Sequence, residues 1–499
     1  MAPALRLFGF VAALLLAPRI LAALESPEEL LSMKMQTQLL AETTGTITGE
    51  GVCWHASWRA DDFVQGARTT GDLAYLDGAV TYFDALIAKM HTSPDGGRGW
   101  VGPYIYDTSV LGDVHIGDAI LINHMLAFAL HVRQELLPSQ RGRYEERAQA
   151  YIDLAEHVIN KWQARGTWYE SGHYGGYVSW NRFLTTDHMD AFEQREDVHN
   201  VGTSLPFNKQ QSMGIMHLRL HRLTGDAEHL RKARLVFQYT RSRLSAFGDG
   251  FTWNYWEPFY PGDVASVDPP KLVHWVGTHP YRDYQQGEVS EFVEAFESGV
   301  VFSQADMERL VQTNLHMWNG DFDAPQWVNS DRQANVAAVA GWTPSDPAAH
   351  GYPRAAGALW HALTPFDDSL AQLAGTVADN TKYARRAGVV AEFFDWPVPE
   401  VTYLNLGCVL PPVVVAGAST YLVCKARAAG DLRIVLTDDK GQTELATIFT
   451  GPSPGGIDGI EGLTIQQWTA NVEPGDYRVR WELSVGDHRE HRDYRVTVD

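Results

Sequence analysis

Glu257 stands in FTWNYWEPFYPGD, residues 251–263, with six aromatic residues around it. Two readings are open: a core segment whose acid points outward, or a sugar-binding floor that holds a working acid. On the second reading Trp253, Asn254, Tyr255 and Trp256 form the floor. The rings then disfavour the ionised form of Glu257, which could donate a hydrogen bond. Other polar residues gather in stretches of similar texture. YIYDTSVLGDVHIGD (104–118) offers Asp107, Asp113, His115 and Asp118, and WYESGHYGGYVSWNRF (168–183) offers His173, Trp180 and Arg182. REDVHNVGTSLPFNKQQ (195–211) brings His199, Asn200, Asn208 and Lys209. THPYRDYQQGEVSEF (278–292) brings His279, Tyr281, Arg282 and Tyr284. Taken singly, each has a structural reading: His115 or Asn208 could cap a helix, and Asp118 could favour a helix dipole. Grouping shifts the balance, because each of these stretches leads toward a helical run.

Those runs define the elements that must position the site. Residues 115–137, 144–162, 210–244 and 287–318 carry apolar side chains at three- and four-residue spacing, as helices with one buried face require. Gly225 and Asp226 are placed to end one helix and cap the next, and Gly299 with Ser303 repeats the device. Between the runs lie Gly-, Trp- and Tyr-rich stretches at 94–114, 166–208, 246–286 and 319–350, expected as long loops. Short turns alternating with long loops predict a mainly α fold, an (α/α)6–7 toroid of helical hairpins over residues 24–396. From 397 to 499, apolar and polar residues alternate between Gly/Asp turns, predicting a C-terminal β-sandwich domain.

Residues 1–23 have the form of a secretory signal, with Arg6 before an apolar stretch and Ala22–Ala23 near a plausible cut, so the chain is expected to be secreted or periplasmic. No later segment reads as a membrane span. The net charge of −21 argues against a nucleic-acid partner. Of the three cysteines, Cys408 and Cys424 lie in neighbouring strand-like runs and could pair, while Cys53 reads as a buried apolar residue. No compact motif argues for a metal, and no cofactor is expected.

The stretches DVHN, YWEP and HPYRDYQQGEV…EAFESGVVFSQADMERL…MWNGDF resemble the toroidal polysaccharide lyases acting on uronic acids. They are most similar to the alginate and glucuronan lyases of polysaccharide lyase family 38. The resemblance implies β-elimination on an acidic polysaccharide or oligosaccharide. It places a catalytic Tyr at Tyr284, with Tyr281 and Tyr255 as neighbours that keep the assignment open. It places the His at His199 and the acid at Glu257. Elimination removes the C5 proton beside a uronate carboxylate, so the site must neutralise that carboxylate, and Glu257, His199 and Asn200 could donate to it. Tyr284 would deliver a proton to the leaving O4 and could also act as the C5 base, with His199 as the alternative base. Arg282 could ease the tyrosine's deprotonation. His115, His173, Trp180, Arg182, Asn208, Lys209 and His279 complete the expected substrate-binding set.

Three other functions fit the same residues. An inverting glycoside hydrolase would pair Glu257 with Asp107 or Asp118 across a water. A uronate C5-epimerase would take the same proton and return it on the other face. A non-enzymatic carbohydrate-binding protein would use the aromatics alone.

Overall fold

The computed structural model describes residues 25–43, 48–57, 60–171, 174–198, 201–247, 249–253, 255–257, 259–265, 271–272, 282–319, 360–376, 413–426, 429–455 and 463–499. Its longer helices are α1 Pro27–Thr43, α2 Gly49–Ser57, α3 Asp62–Thr70, α4 Ala74–Ile87, α5 His115–Leu130 and α6 Glu145–Ala164. They continue with α7 Phe207–Thr224, α8 Ala227–Ser242, α9 Arg282–Glu297, α10 Gln304–Asn319 and α11 Asp368–Thr376. Helices α2, α5, α7 and α9 lie side by side, with α6 packed against α5 and α8 against α7. Almost every residue of α5 is buried, which explains its apolar character on all sides. Residues His115–Glu135 are long and apolar enough to cross a membrane, contrary to the sequence reading, but 89% of the apolar window is buried inside the protein.

The expected mainly α toroid is overturned. Among the described residues 49% are helical and 26% lie in strands, and small sheets interrupt the helices. Three stretches expected as loops contain β-structure, and in 246–286 it is two short ladders, Ser245–Phe247 with Gly250–Thr252 and Val264–Ala265 with Lys271–Leu272. Strands β1 His91–Thr92 and β2 Arg98–Gly99 pair, and β3 Gly102–Tyr104, β4 Asp107–Gly112, β7 Arg182–Thr185 and β8 His188–Gln194 form an antiparallel sheet in the order β3-β4-β7-β8. Between them, β5 Trp168–Ser171 pairs with β6 Tyr174–Tyr177. Glycines in these stretches signal close approach rather than a loop. A Cβ on Gly176 would sit 2.9 Å from the Gln210 side chain, and that amide caps strand β6 by accepting from Tyr177 N and donating to Tyr177 O, each at 2.7 Å.

The described C-terminal residues form a five-stranded sheet in the order Val413–Val414, His488–Val498, Gly475–Val485, Gly430–Asp438, Glu444–Ser453. Ser419–Lys425 pairs with Leu463–Thr469 as a separate antiparallel ladder. The expected domain boundary at 396/397 lies outside the described residues. Cys424 is a buried free thiol, and Cys408, with which it could pair, lies outside the described residues.

One backbone crossing sets the position of the β3–β4 hairpin. Gly49, at the start of α2, has φ +70°, and a Cβ built on Gly102 would lie 2.2 Å from Gly49 N. Thr48 N donates to Val101 O at 3.0 Å across the same contact. Two glycines therefore let the hairpin lie directly on the start of α2. We expect Gly102→Ala to destabilise the protein by about 3 kcal/mol, because backbone rather than a side-chain tip must move. Chemical denaturation would measure it, and a loss below about 0.5 kcal/mol would mean the crossing yields freely.

Candidate functional site

The crossing brings the hairpin's aromatic residues to a place where three helices begin. Glu50 lies in the first turn of α2, His115 opens α5, and Pro206 to Lys209 start α7. Lys209 Nζ reaches Glu50 Oε1 at 3.1 Å, and Trp54 Nε1 donates to the same oxygen at 3.2 Å. Beside this meeting point is a cleft open to solvent. Tyr104, Tyr106, Trp180 and Phe183 give it aromatic walls, while His115, Asp113, Ser179, Thr203, Ser204 and Lys209 supply polar groups. Helix starts present backbone N–H groups and the positive end of the helix dipole, so a cation among them makes the region receptive to an anion.

His115 is the titratable ring in the cleft wall. Its Nε2 lies 2.9 Å from Thr167 Oγ1, and that hydroxyl donates its own proton to Trp162 O at 2.8 Å. With Thr167 accepting, the proton sits on His115 Nε2 and the lone pair on Nδ1, one of the two tautomers this contact allows. The ring stacks on Trp162 with centroids 3.7 Å apart. Burial holds its ionisation well below the usual imidazole range, and the charges of Lys161, Arg165 and Lys209 push it the same way. At neutral pH His115 is an uncharged acceptor.

Behind the cleft wall runs a buried ion lattice. Lys161 Nζ contacts Asp113 Oδ1 at 2.9 Å and Asp118 Oδ2 at 2.6 Å. Arg165 reaches Asp113 Oδ2 and Asp95 Oδ2, each at 2.7 Å, and Trp162 Nε1 donates to Asp118 Oδ2 at 2.9 Å. Burial would raise Asp113, but the Lys161 and Arg165 charges outweigh it and hold the carboxyl low. Asp118 is raised, by burial and by the Asp113 charge acting against Lys161. Asp113 is the one carboxylate among the described residues that line the cleft, and it is fully engaged by cations. Asp107 lies on β4, bonded to Ser109. The hydrolase pairings of Glu257 with Asp107 or Asp118 therefore find no support in this cleft.

The segment around Glu257 braces the site from behind. Trp256 Nε1 donates to Ser204 O at 3.0 Å, and Tyr255 O accepts from Phe207 N at 2.9 Å, fixing the entry to α7. Trp253, Tyr255, Trp256 and Glu257 are all buried, and none lines the cleft; Tyr239 Oη donates to the Glu257 backbone O at 2.7 Å. The expected sugar floor is thus a core segment. Asn208 is also buried, off the cleft and without a partner for either amide atom, and Arg182 is exposed at the start of β7. His115, Trp180 and Lys209 are the expected binding residues that the structure brings together. His173, His199, Asn200, Asn254 and His279 lie outside the described residues. Tyr284 and Arg282 sit in the first turn of α9, and their side chains are likewise outside the described set.

The neutral acid expected at Glu257 has a counterpart at Glu288, one turn after Tyr284. Glu288 is fully buried and accepts from Trp253 Nε1 at 2.6 Å, and burial pushes its carboxyl up to about 8. Neighbouring Glu291 accepts from Ser212 Oγ at 2.7 Å and is also raised, by burial and by the Glu288 and Glu294 charges. Sequence reasoning passed over both, as acids on an amphipathic helix.

Comparison with known proteins gave no match: no protein-family model, no curated protein and no solved structure is similar to this chain at a significant level.

The raised Glu288 carboxyl makes stability depend on pH. Its folded value lies above the unfolded one, so the folded state holds the extra proton, and this contribution is present in full below about 4.5 and lost as pH rises toward 8. Glu288→Gln mimics the protonated form. Measured by denaturation at pH 5 and pH 8, the variant should gain on the wild type over that interval, by as much as about 4 kcal/mol. A constant difference between the two proteins would mean that Glu288 is ionised in the folded state.

Proposed function

We propose that the chain is a secreted polysaccharide lyase that cleaves a uronic-acid-containing polymer, of the alginate or glucuronan type, by β-elimination. The observation that carries this reading is one cleft in which the Lys209 ammonium, helix starts and an uncharged His115 lie together between aromatic walls. A uronate carboxylate fits the first two, and a pyranose ring fits the walls.

In the proposed reaction Lys209 and the helix N–H groups hold the carboxylate and stabilise the enolate that forms as C5 loses its proton. His115 Nδ1 is the described group able to accept that proton. Its depressed ionisation keeps it unprotonated but makes it a weak base, so most of the barrier reduction must come from charge stabilisation. As the C5–H electrons form the C4=C5 double bond, the C4–O4 bond breaks and O4 leaves with a proton, for which Tyr284 is the proposed donor. His199 remains the alternative base.

The test is incubation with alginate, polyglucuronate and neutral polymers, following the ultraviolet absorbance of unsaturated ends. We expect absorbance with a uronate polymer only. Lys209→Met should raise KM about ten-fold or more, and His115→Gln should lower kcat about a hundred-fold. New reducing ends without absorbance, or deuterium uptake at C5 without cleavage, would replace the lyase reading with hydrolase or epimerase.

A further inference from the structure

The ion lattice lines the cleft at Asp113 and meets its wall again where Arg165 packs on Trp180. Arg165 follows directly after α6, and its guanidinium is pinned on two edges, by Asp113 at Nη1 and by Asp95 at Nε. Its carbon lies 4.1 Å from the centroid of the Trp180 ring, with Phe192 5.3 Å away. Phe192 meets the same indole edge-on at 4.6 Å, and Trp162 meets it at 6.2 Å. Trp180 is half-buried and contributes to the cleft wall. Phe192 and Trp162 hold the edges of the indole. A charged plane fixed by two carboxylates stacks on it and holds it in one orientation.

We propose that Arg165 is a positioning residue that fixes Trp180 as a stacking platform for a sugar ring in the cleft. The inference rests on the reading of the cleft as a carbohydrate site, and it adds where the ring sits. The apolar face of a pyranose packs on Trp180, while its charged substituent is directed to Lys209 across the cleft. Such a platform selects a cyclic sugar acid over a small free anion, which Lys209 alone would not distinguish.

The experiment uses the whole chain labelled with 5-fluorotryptophan, the Trp180 fluorine resonance being assigned by its loss in Trp180→Phe. Arg165→Lys keeps the charge for Asp113 and Asp95 but removes the flat stacking surface. In a folded Arg165→Lys protein we expect the Trp180 line to shift and broaden. A tetrasaccharide of alginate or polyglucuronate should shift the same line in the wild type, with about ten-fold weaker binding in the variant. Should Arg165→Lys not fold, Asp95→Asn releases the outer edge of the guanidinium from the exposed side, and the same, smaller, changes are expected.

A Trp180 line unmoved in both folded variants overturns the positioning role. A line that moves in the variants but responds to no oligosaccharide, charged or neutral, overturns the platform. A response to neutral cello-oligosaccharides but not to uronates upholds the platform and sinks the lyase reading, so the two failures are separable.

Discussion

The buried contact among Lys161, Arg165, Asp113 and Asp118 is the constraint on which the rest of the described site depends. Removing such charges from water costs several kcal/mol per ion, and only complete mutual pairing offsets the loss. Here pairing is matched to helix polarity. Lys161 and Arg165 come from the C-terminal end of α6, where cations are favoured, and Asp118 lies in the first turn of α5, where an acid is favoured. The lattice therefore locks the end of one helix to the beginning of another. His115, Trp162 and Trp180 all take their places from that lock. It also reinforces burial in keeping His115 uncharged, since two of the three cations that disfavour its protonation belong to the lattice.

Much of the helical skeleton was legible because its signals are local. The runs at 115–137, 144–162, 210–244 and 287–318 contain α5 and α8 whole and most of α6, α7, α9 and α10, missing the last residues of α6 and α10 and the first residues of α7 and α9. Gly225 ends α7 with φ +78°, Asp226 caps α8 by accepting from Glu228 N, and Ser303 bonds Asp306 at the start of α10. The strands were missed because they span two to seven residues, too short for a period of two to declare itself. Gly and Trp there report packing: Gly175 makes room for the Trp168 ring, which a Cβ would meet at 2.7 Å. Reading those stretches as loops left only helices to build with, and a mainly α ring was the result.

The site itself divides the same way. His115, Trp180 and Lys209 were visible as unusual polar or aromatic residues near helix starts. Tyr104 and Tyr106 were not, because they arrive through the Gly49–Gly102 crossing, a contact between segments far apart in sequence. Trp253 and Trp256 carried the right chemistry for a sugar surface, yet burial of a large ring whose N–H finds a partner stabilises a core equally well. Glu288 shows the converse. Nothing in the spacing of α9 marks it, and only its burial, acting against the hydrogen bond from the Trp253 indole, makes it an uncharged acid.

The Lys209–Glu50 pair has a bearing on how a guest would be admitted. Glu50 is buried, and its second oxygen, Oε2, has no partner, so this carboxylate already stands where an incoming one would compete. The cleft thereby avoids an unbalanced positive charge, which in a chain of net charge −21 would attract stray counter-ions. Entry becomes an exchange of one carboxylate for another, and its driving force is the difference between two similar attractions. Discrimination then passes to whatever else the guest carries, its ring above all.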